Sequence, residues 1–343
     1  MTLRTYIISR ILLTIPMIFI LLTAVFLIMR VLPGDPVQLH FEKMASPAAV
    51  AAMKAQLGLD KPLWAQYIDY LAGVLRGDLG KSMQDYSPVG QQIFSAFPAT
   101  LELAICSMLV AVLIGVFLGV ESSKSYGKPK DHVIRVFGIV TYAIPVFFLG
   151  MILQLVFGVG LHWLPVGQRT APGMAPTGLT IGGFHFSTGL YTIDSLLEGN
   201  IYKFVSSVEY LLLPSLTLGL VPCGIFIRLT RSNMFETLRL DFVTAAKARG
   251  LKETTVTYGY ALRNAFLPVL TMMGLQFALL LGGAVLTETT FSWPGLGRYL
   301  IDRINFRDYT AIQGAVVVFG IFVSIVSLVI DLLYAYLDPR IRL

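Results

Sequence analysis

Few residues in this sequence have the types and spacings that perform chemistry. Gly80-Lys81-Ser82 has the form of the end of a phosphate-binding loop, but the full pattern needs a further glycine at position 75, which is Leu75. The triplet therefore reads as a turn after an amphipathic helix. None of His40, His132, His162 and His185 stands at ligand spacing from another His or Cys, so no metal site is expected. Cys106 and Cys223 both fall in apolar stretches, and neither a disulfide nor a thiolate cluster is implied. The carboxylates singled out within apolar stretches are Glu102, Glu288 and Asp331. Each stands near the end of its stretch, so they read as interfacial or helix-capping groups rather than a proton relay. No nucleophile, base and orienting group converge locally. The sequence thus predicts no catalytic residue, no metal and no cofactor.

The elements that would position any site are long and apolar. Of 343 residues, 55% are hydrophobic and 13% charged, against about 25% charged in a soluble chain. Crossing a bilayer takes about 20 apolar residues. Six blocks qualify: 9–29, 98–120, 135–158, 208–230, 266–289 and 311–336. Proline and glycine inside them, such as Pro145 and Pro222, are tolerated where neighbouring helices satisfy the freed backbone. The first block is too long for a signal-peptide core and lacks a cleavage site of small residues.

The formal net charge of +6 sits largely in short loops. With the N-terminus inside, the inner segments hold Arg4 and Arg10, then Lys124, Lys128, Lys130 and Arg135, then seven basic residues from Arg228 to Arg263, then Arg340 and Arg342. The outer segments hold fewer over about twice the length. Both termini are therefore expected in the cytoplasm, and the basic balance is a topology signal, not a nucleic-acid site.

Two outer segments are long. In 31–97, Ser46-Pro47 reads as a helix start. Residues 47–57 and 62–76 read as short amphipathic helices. The segment 159–207 is rich in Gly, Pro and Thr and reads as an irregular loop with short strands around 179–187. The domain reading is a first membrane helix over 1–30, an extracytoplasmic subdomain over 31–97, and a five-helix core over 98–343. No internal repeat is visible, which disfavours an inverted-repeat secondary transporter.

The inner loop 231–265 carries the strongest signal. Leu240 to Arg249 is helix-compatible, with Ala245, Ala246 and Ala248 supplying propensity. Gly250 breaks it as a left-handed residue would. A second amphipathic piece follows over 252–262, and Pro268 stands at the entry to the next membrane helix. A helix-turn-helix results, with small residues that admit a partner closely and basic residues that offer charge complementarity.

Ala245-Ala246, three residues, then Gly250 resembles the EAA loop of ABC importer permeases, in which this loop forms a helix docked in a cleft of the ATPase subunit. The longer run resembles the dipeptide and oligopeptide branch: Thr244-Ala245, Lys247, Gly250-Leu251 and Ala261-Leu262-Arg263-Asn264-Ala265. Thr244 replaces the glutamate that names the motif. Also similar are Pro33-Gly34-Asp35-Pro36, Leu57 to Pro62, Gly77-Asp78-Leu79-Gly80 and Glu288-Thr289. So are Phe291-Ser292-Trp293-Pro294-Gly295-Leu296-Gly297-Arg298, Arg307-Asp308-Tyr309 and Asp338 to Arg342. Thr310 stands where the family usually has proline. The likeness covers essentially the whole chain and is closest to the B-type permease of dipeptide systems.

The resemblance implies an all-α polytopic protein of the prokaryotic inner membrane with the type I ABC importer permease fold. It implies a second permease subunit, two ATP-binding subunits and an extracytoplasmic substrate-binding protein as partners, with ATP hydrolysed by those subunits. Thr244, Ala245, Ala246, Lys247, Gly250, Leu251, Arg263 and Asn264 would couple to the ATPase. Glu288, Trp293, Pro294, Gly295, Gly297 and Arg298 would form a motif on the opposite side. The implied cargo is dipeptides or short oligopeptides, with oligosaccharides, glutathione or a nickel chelate as alternatives within the family. A stand-alone channel or secondary transporter is the competing class, and an intramembrane enzyme lacks the paired groups it would need.

Overall fold

The computed structural model describes residues 3–31, 37 and 46–337. Pro33-Gly34-Asp35-Pro36, Asp338 to Arg342 and the side chains of Arg4 and Asp331 lie outside the described set. Helix α1 (Leu3–Val31) is followed by two short helices, α2 (Pro47–Gln56) and α3 (Leu63–Leu75). At the start of α2, Ser46 Oγ accepts a hydrogen bond from the Ala49 amide at 3.2 Å and Pro47 occupies the first position, as expected.

Helix α4 (Val89–Lys124) leads through a tight turn to α5 (Pro129–Ala143) and α6 (Val146–Leu153). A π-helical stretch, Gln154–Gly160, extends α6. A two-stranded antiparallel hairpin follows, β1 (Leu179–Ile181) on β2 (Phe184–Phe186), with Thr180 opposite His185. Then come α7 (Tyr191–Leu197), the long α8 (Ile201–Thr237) and the short α9 (Asp241–Ala248). A second π-helical stretch, Thr255–Ala261, runs straight into α10 (Leu262–Thr290). Helices α11 (Leu296–Asn305) and α12 (Tyr309–Leu337) complete the described chain.

Among the described residues five helices are long and apolar enough to cross a membrane, or six if α5 and α6 count as one broken span. That broken span is where the six-block reading needs revision. The block 135–158 is not one straight helix: α5 and α6 meet at 108°. The cause is local. Pro145 disfavours helical backbone at the residue before it, and Ile144 is extended at φ −73°, ψ 129°.

Three further expectations shift. The 252–262 piece is not a separate helix but continues into α10, so Pro268 lies inside that helix rather than at its entry. The segment 159–207 is less irregular than its composition suggests, since it contains α7 and the first turns of α8. Helix α4 starts at Val89 and runs through position 98 without a break.

The core forms where α4 and α8 pack, the most extensive helix pair in the fold. Glycines make the approach possible. A Cβ on Gly219 would lie 2.5 Å from the Ser107 carbonyl oxygen, and one on Gly119 would lie 2.6 Å from Thr230 Cβ. Leu103, Met108, Leu218, Phe226 and Trp293 fill the space around this contact. Helix α1 packs along α12 through Leu22, Val25 and Val317, while Leu12, Ile15, Phe19 and Ile20 face outward, as a lipid-facing surface would.

Candidate functional site

The bundle presents organised chemistry at both ends. At one end stands α9. Asp241 in its first turn and Lys247 in its last complement the helix dipole. Its C-terminus closes as a Schellman motif: the Leu251 amide donates to the Ala246 carbonyl at 3.4 Å, and the Gly250 amide to that of Lys247 at 2.9 Å. The motif requires a left-handed residue after the cap, and Gly250 has φ +75°. Leu251 folds back over Ala246 into a cluster with Val120, Met234, Val243, Val256, Ala261 and Ala265.

This divides the residues expected to couple. Ala246 and Leu251 face inward and anchor the helix, together with Val243. Thr244, Ala245, Lys247 and Gly250 are exposed on the outer face, beside Phe242. Arg263 and Asn264 are also exposed, but on the first turn of α10, and no hydrogen bond or ion pair joins them to α9 among the described residues.

Beneath α9 an ion pair ties neighbouring elements together. Arg231 on α8 grips Asp131 on α5 with a two-pronged contact, Nε to Oδ1 at 2.7 Å and Nη2 to Oδ2 at 2.8 Å. Ser122 Oγ and the Gly127 amide also donate to this carboxylate, at 2.5 and 3.0 Å. The Arg231 guanidinium lies 4.8 Å from the ring centroid of Tyr126, which stacks on Phe235 at 4.1 Å. Nearby, Glu121 takes Lys124 and Lys130 and accepts from the Tyr258 hydroxyl at 3.3 Å. The turn between α4 and α5 is thereby fixed to α8 and to the π-helical entry of α10.

At the opposite end of α10 the residues of the other expected motif converge. Glu288 is fully buried. Thr100 Oγ1 on α4 donates to its Oε1 at 2.6 Å, and the Arg298 amide donates to Oε2 at 2.9 Å. Thr100 Oγ1 in turn accepts from the Leu296 amide at 2.7 Å. Trp293 is fully buried, with its indole N–H on the Ala99 carbonyl at 2.9 Å. Gly295 and Gly297 lie so close to the carboxylate that added Cβ atoms would overlap it. Ser292, with φ +52°, makes the sharp turn that sends Trp293 inward, while Pro294 remains exposed.

A second buried carboxylate stands beside this group. Glu102 receives Arg169 Nη2 at 2.5 Å and Nε at 3.1 Å, and accepts from the Thr192 amide and hydroxyl, both at 2.7 Å. The Arg169 guanidinium stacks 3.7 Å above Tyr191 and donates to the Gly189 carbonyl at 2.7 Å. Asp194 clasps the same loop through Ser187, Thr188 and Gly189. Burial raises the Asp194 pKa, but these donors outweigh it and hold the carboxyl below its ordinary value. The reading of Glu102 and Glu288 as interfacial or capping groups is therefore corrected: both are buried and hydrogen-bonded across elements. Asp308 does the same for the segment before α4. It accepts from Ser82 Oγ at 2.6 Å and the Met83 amide at 3.1 Å, and caps α12 through the Ala311 amide at 3.1 Å. Ser82, the last residue of the phosphate-loop-like triplet, is thus occupied structurally.

The roles of four of these groups are not readable from sequence: Asp131, Arg231, Arg169 and Asp308. Each has a side-chain partner 67 to 226 residues away, and spacing carries no trace of those pairings. Asp308 belongs to the Arg307-Asp308-Tyr309 string, and an Arg-Asp pair before an apolar block is its available signal.

Residues 111–343 match the family described as binding-protein-dependent transport system inner membrane component, and residues 3–104 match the N-terminal region of such components. The dipeptide transport system permease protein of Alkalihalophilus pseudofirmus is 40% identical over 337 residues, 98% of this chain and 99% of that protein. The di/tripeptide transport system permease protein of Pseudomonas aeruginosa is 40% identical over 98% of each chain. The glutathione transport system permease protein of Salmonella choleraesuis is 38% identical over 98% of each chain.

Proposed function

The chain belongs to the family of binding-protein-dependent transport system inner membrane components and is a permease subunit of an ABC peptide importer, and we propose that its two organised ends divide the work of transport. It is a multi-pass protein of the prokaryotic inner membrane that works with other ABC components. In this reading both termini and the 231–265 loop lie in the cytoplasm, in line with the basic residues of the short loops. The partners are a second permease, two ATP-binding subunits that hydrolyse ATP, and an extracytoplasmic substrate-binding protein that delivers dipeptides or short oligopeptides.

One observation carries the coupling role. Helix α9 is pinned from behind by Val243, Ala246 and Leu251, and offers Thr244, Ala245 and Lys247 in front. A helix held this way moves as one body with α8 and the entry of α10. Displacement by an ATPase partner would pass along α10, roughly 40 Å long at 1.5 Å per residue, to the Glu288 group at its far end. Rigid elements with two packings transmit such changes. Arg263 and Asn264, on α10 itself, would widen the docking surface. Glu288, Trp293, Pro294, Gly295, Gly297 and Arg298 would hold the extracytoplasmic ends of α10 and α4 together through the transition.

The test is Gly250→Pro in the assembled importer, reconstituted in vesicles. Proline fixes φ near −65°, whereas this position needs +75°. Peptide uptake is expected to fall, with ATP hydrolysis either no longer stimulated by the binding protein or lost through failed assembly. Unchanged uptake would sink the coupling assignment. Uptake by the chain without ATPase subunits would favour a stand-alone channel or secondary transporter.

A further inference from the structure

Tyr202, Ser206, Glu209 and Tyr210 recur on α8 at the spacing of one helix face. They form one wall of an open cleft of about 800 Å3, faced by Trp163 and by the loop at Ala171 and Met174. Ser206 is committed to that loop, accepting from the Ala171 amide at 3.1 Å. Glu209 is exposed in the cleft and makes no hydrogen bond or ion pair with any described residue. In this it differs from Glu102, Glu288 and Asp131, each of which is satisfied within the chain.

An unpaired carboxylate on an apolar membrane helix does not face hydrocarbon. Nor does irregular backbone, such as the loop at Ala171. The cleft therefore opens on water or on protein. Its polar chemistry is the Glu209 carboxylate and the exposed His162 imidazole, among exposed aromatic rings: Tyr202 is 76% and Trp163 68% exposed. That combination fits a primary ammonium, which a carboxylate hydrogen-bonds and ring faces attract. A short peptide with a free amino terminus carries such a group. A single charge-assisted contact at an open site also lets cargo leave, as conduction requires.

We propose that Glu209, flanked by Tyr202, Tyr210 and Trp163, forms a transit site for the α-ammonium of a peptide on its way through the membrane. The inference rests on the peptide-import reading. The competing occupant is a basic side chain of the second permease.

The experiment uses the complete importer in vesicles, with a radiolabelled dipeptide that its binding protein holds. Uptake, ATP hydrolysis and co-purification of the second permease are measured together. Glu209→Gln is expected to lower uptake per ATP hydrolysed by about tenfold, while stimulated hydrolysis and subunit co-purification persist. Glu209→Asp, which keeps the charge, is expected to retain most of the uptake. Unchanged uptake per ATP in Glu209→Gln overturns the proposal. Loss of the second permease from that variant also overturns it, because Glu209 is then a subunit contact. A binding protein that holds no peptide overturns the import reading itself, a result distinct from either.

Discussion

Glu288 shows how a buried carboxylate can be accommodated beside a membrane helix end. Its oxygens are met by Thr100 Oγ1 and the Arg298 amide, and the approach of that backbone depends on Gly295 and Gly297. Gly295 has an ordinary negative φ of −97°, so its requirement is one of space, not of backbone freedom. Gly295→Ala is expected to destabilise the chain by ~1–3 kcal/mol, the usual cost of overpacking. Gly282 on the same helix has nothing within 4 Å of a built Cβ, and Gly282→Ala should be neutral. Thermal unfolding of the two variants in detergent compares them directly; equal stability would remove the close-packing argument.

At the scale of elements, the Asp131–Arg231 pair joins α5 to α8. Asp131 is 1% exposed and Arg231 20%. Removing the cation alone leaves a buried charge, which costs ~3–5 kcal/mol where no water can enter. Arg231→Met should therefore destabilise strongly, with faster hydrogen exchange in the 125–128 turn. Asp131→Asn combined with Arg231→Met should recover part of the loss, since neither charge is then stranded. A single variant as stable as the double would show that the pair carries no such weight. Helix α9 makes a related point. Its two buried residues, Val243 and Ala246, stand three apart among six exposed ones, so under the proposed coupling role a change at either would act by loosening the helix, whereas a change at Thr244 or Lys247 would act on the partner contact itself.

At the scale of the whole molecule, two buried carboxylates fasten extra-helical segments to the bundle. Glu102 holds the loop from Arg169 to Thr192, and Asp308 holds the segment at Ser82. Helix α3 packs on α1 and α12 through Tyr70, Leu71 and Val74, and α2 joins the cluster at Met83 through Met53; in the proposed importer this pair of helices would contact the substrate-binding protein. Deleting 47–75 is expected to weaken the stimulation of ATP hydrolysis by the binding protein while basal hydrolysis persists. Full stimulation in the deleted protein would count against the assignment.

How much of this was legible beforehand follows from the range of each interaction. The apolar blocks, the Ser46 cap and the break at Gly250 are local properties. Length, side-chain type and φ preference act over a few residues, so sequence alone determined a polytopic helical membrane protein with a short helix between its fourth and fifth membrane blocks. The motif from Glu288 to Arg298 was visible as a string, but not as a set of glycines closing on a carboxylate. The 108° bend at Pro145 was signalled by the proline, yet Pro214, Pro222 and Pro268 lie within continuous helices. Which proline breaks a span depends on whether neighbours satisfy the freed carbonyls, and that is decided by packing. The same holds for the charges. Glu102 and Glu288 were visible near block ends, but whether each is buried and paired or bare to a cleft, as Glu209 is, depends on partners brought in from distant parts of the chain. Only the tertiary structure could decide that, because desolvation and pairing are properties of a place in space and not of a position in the sequence.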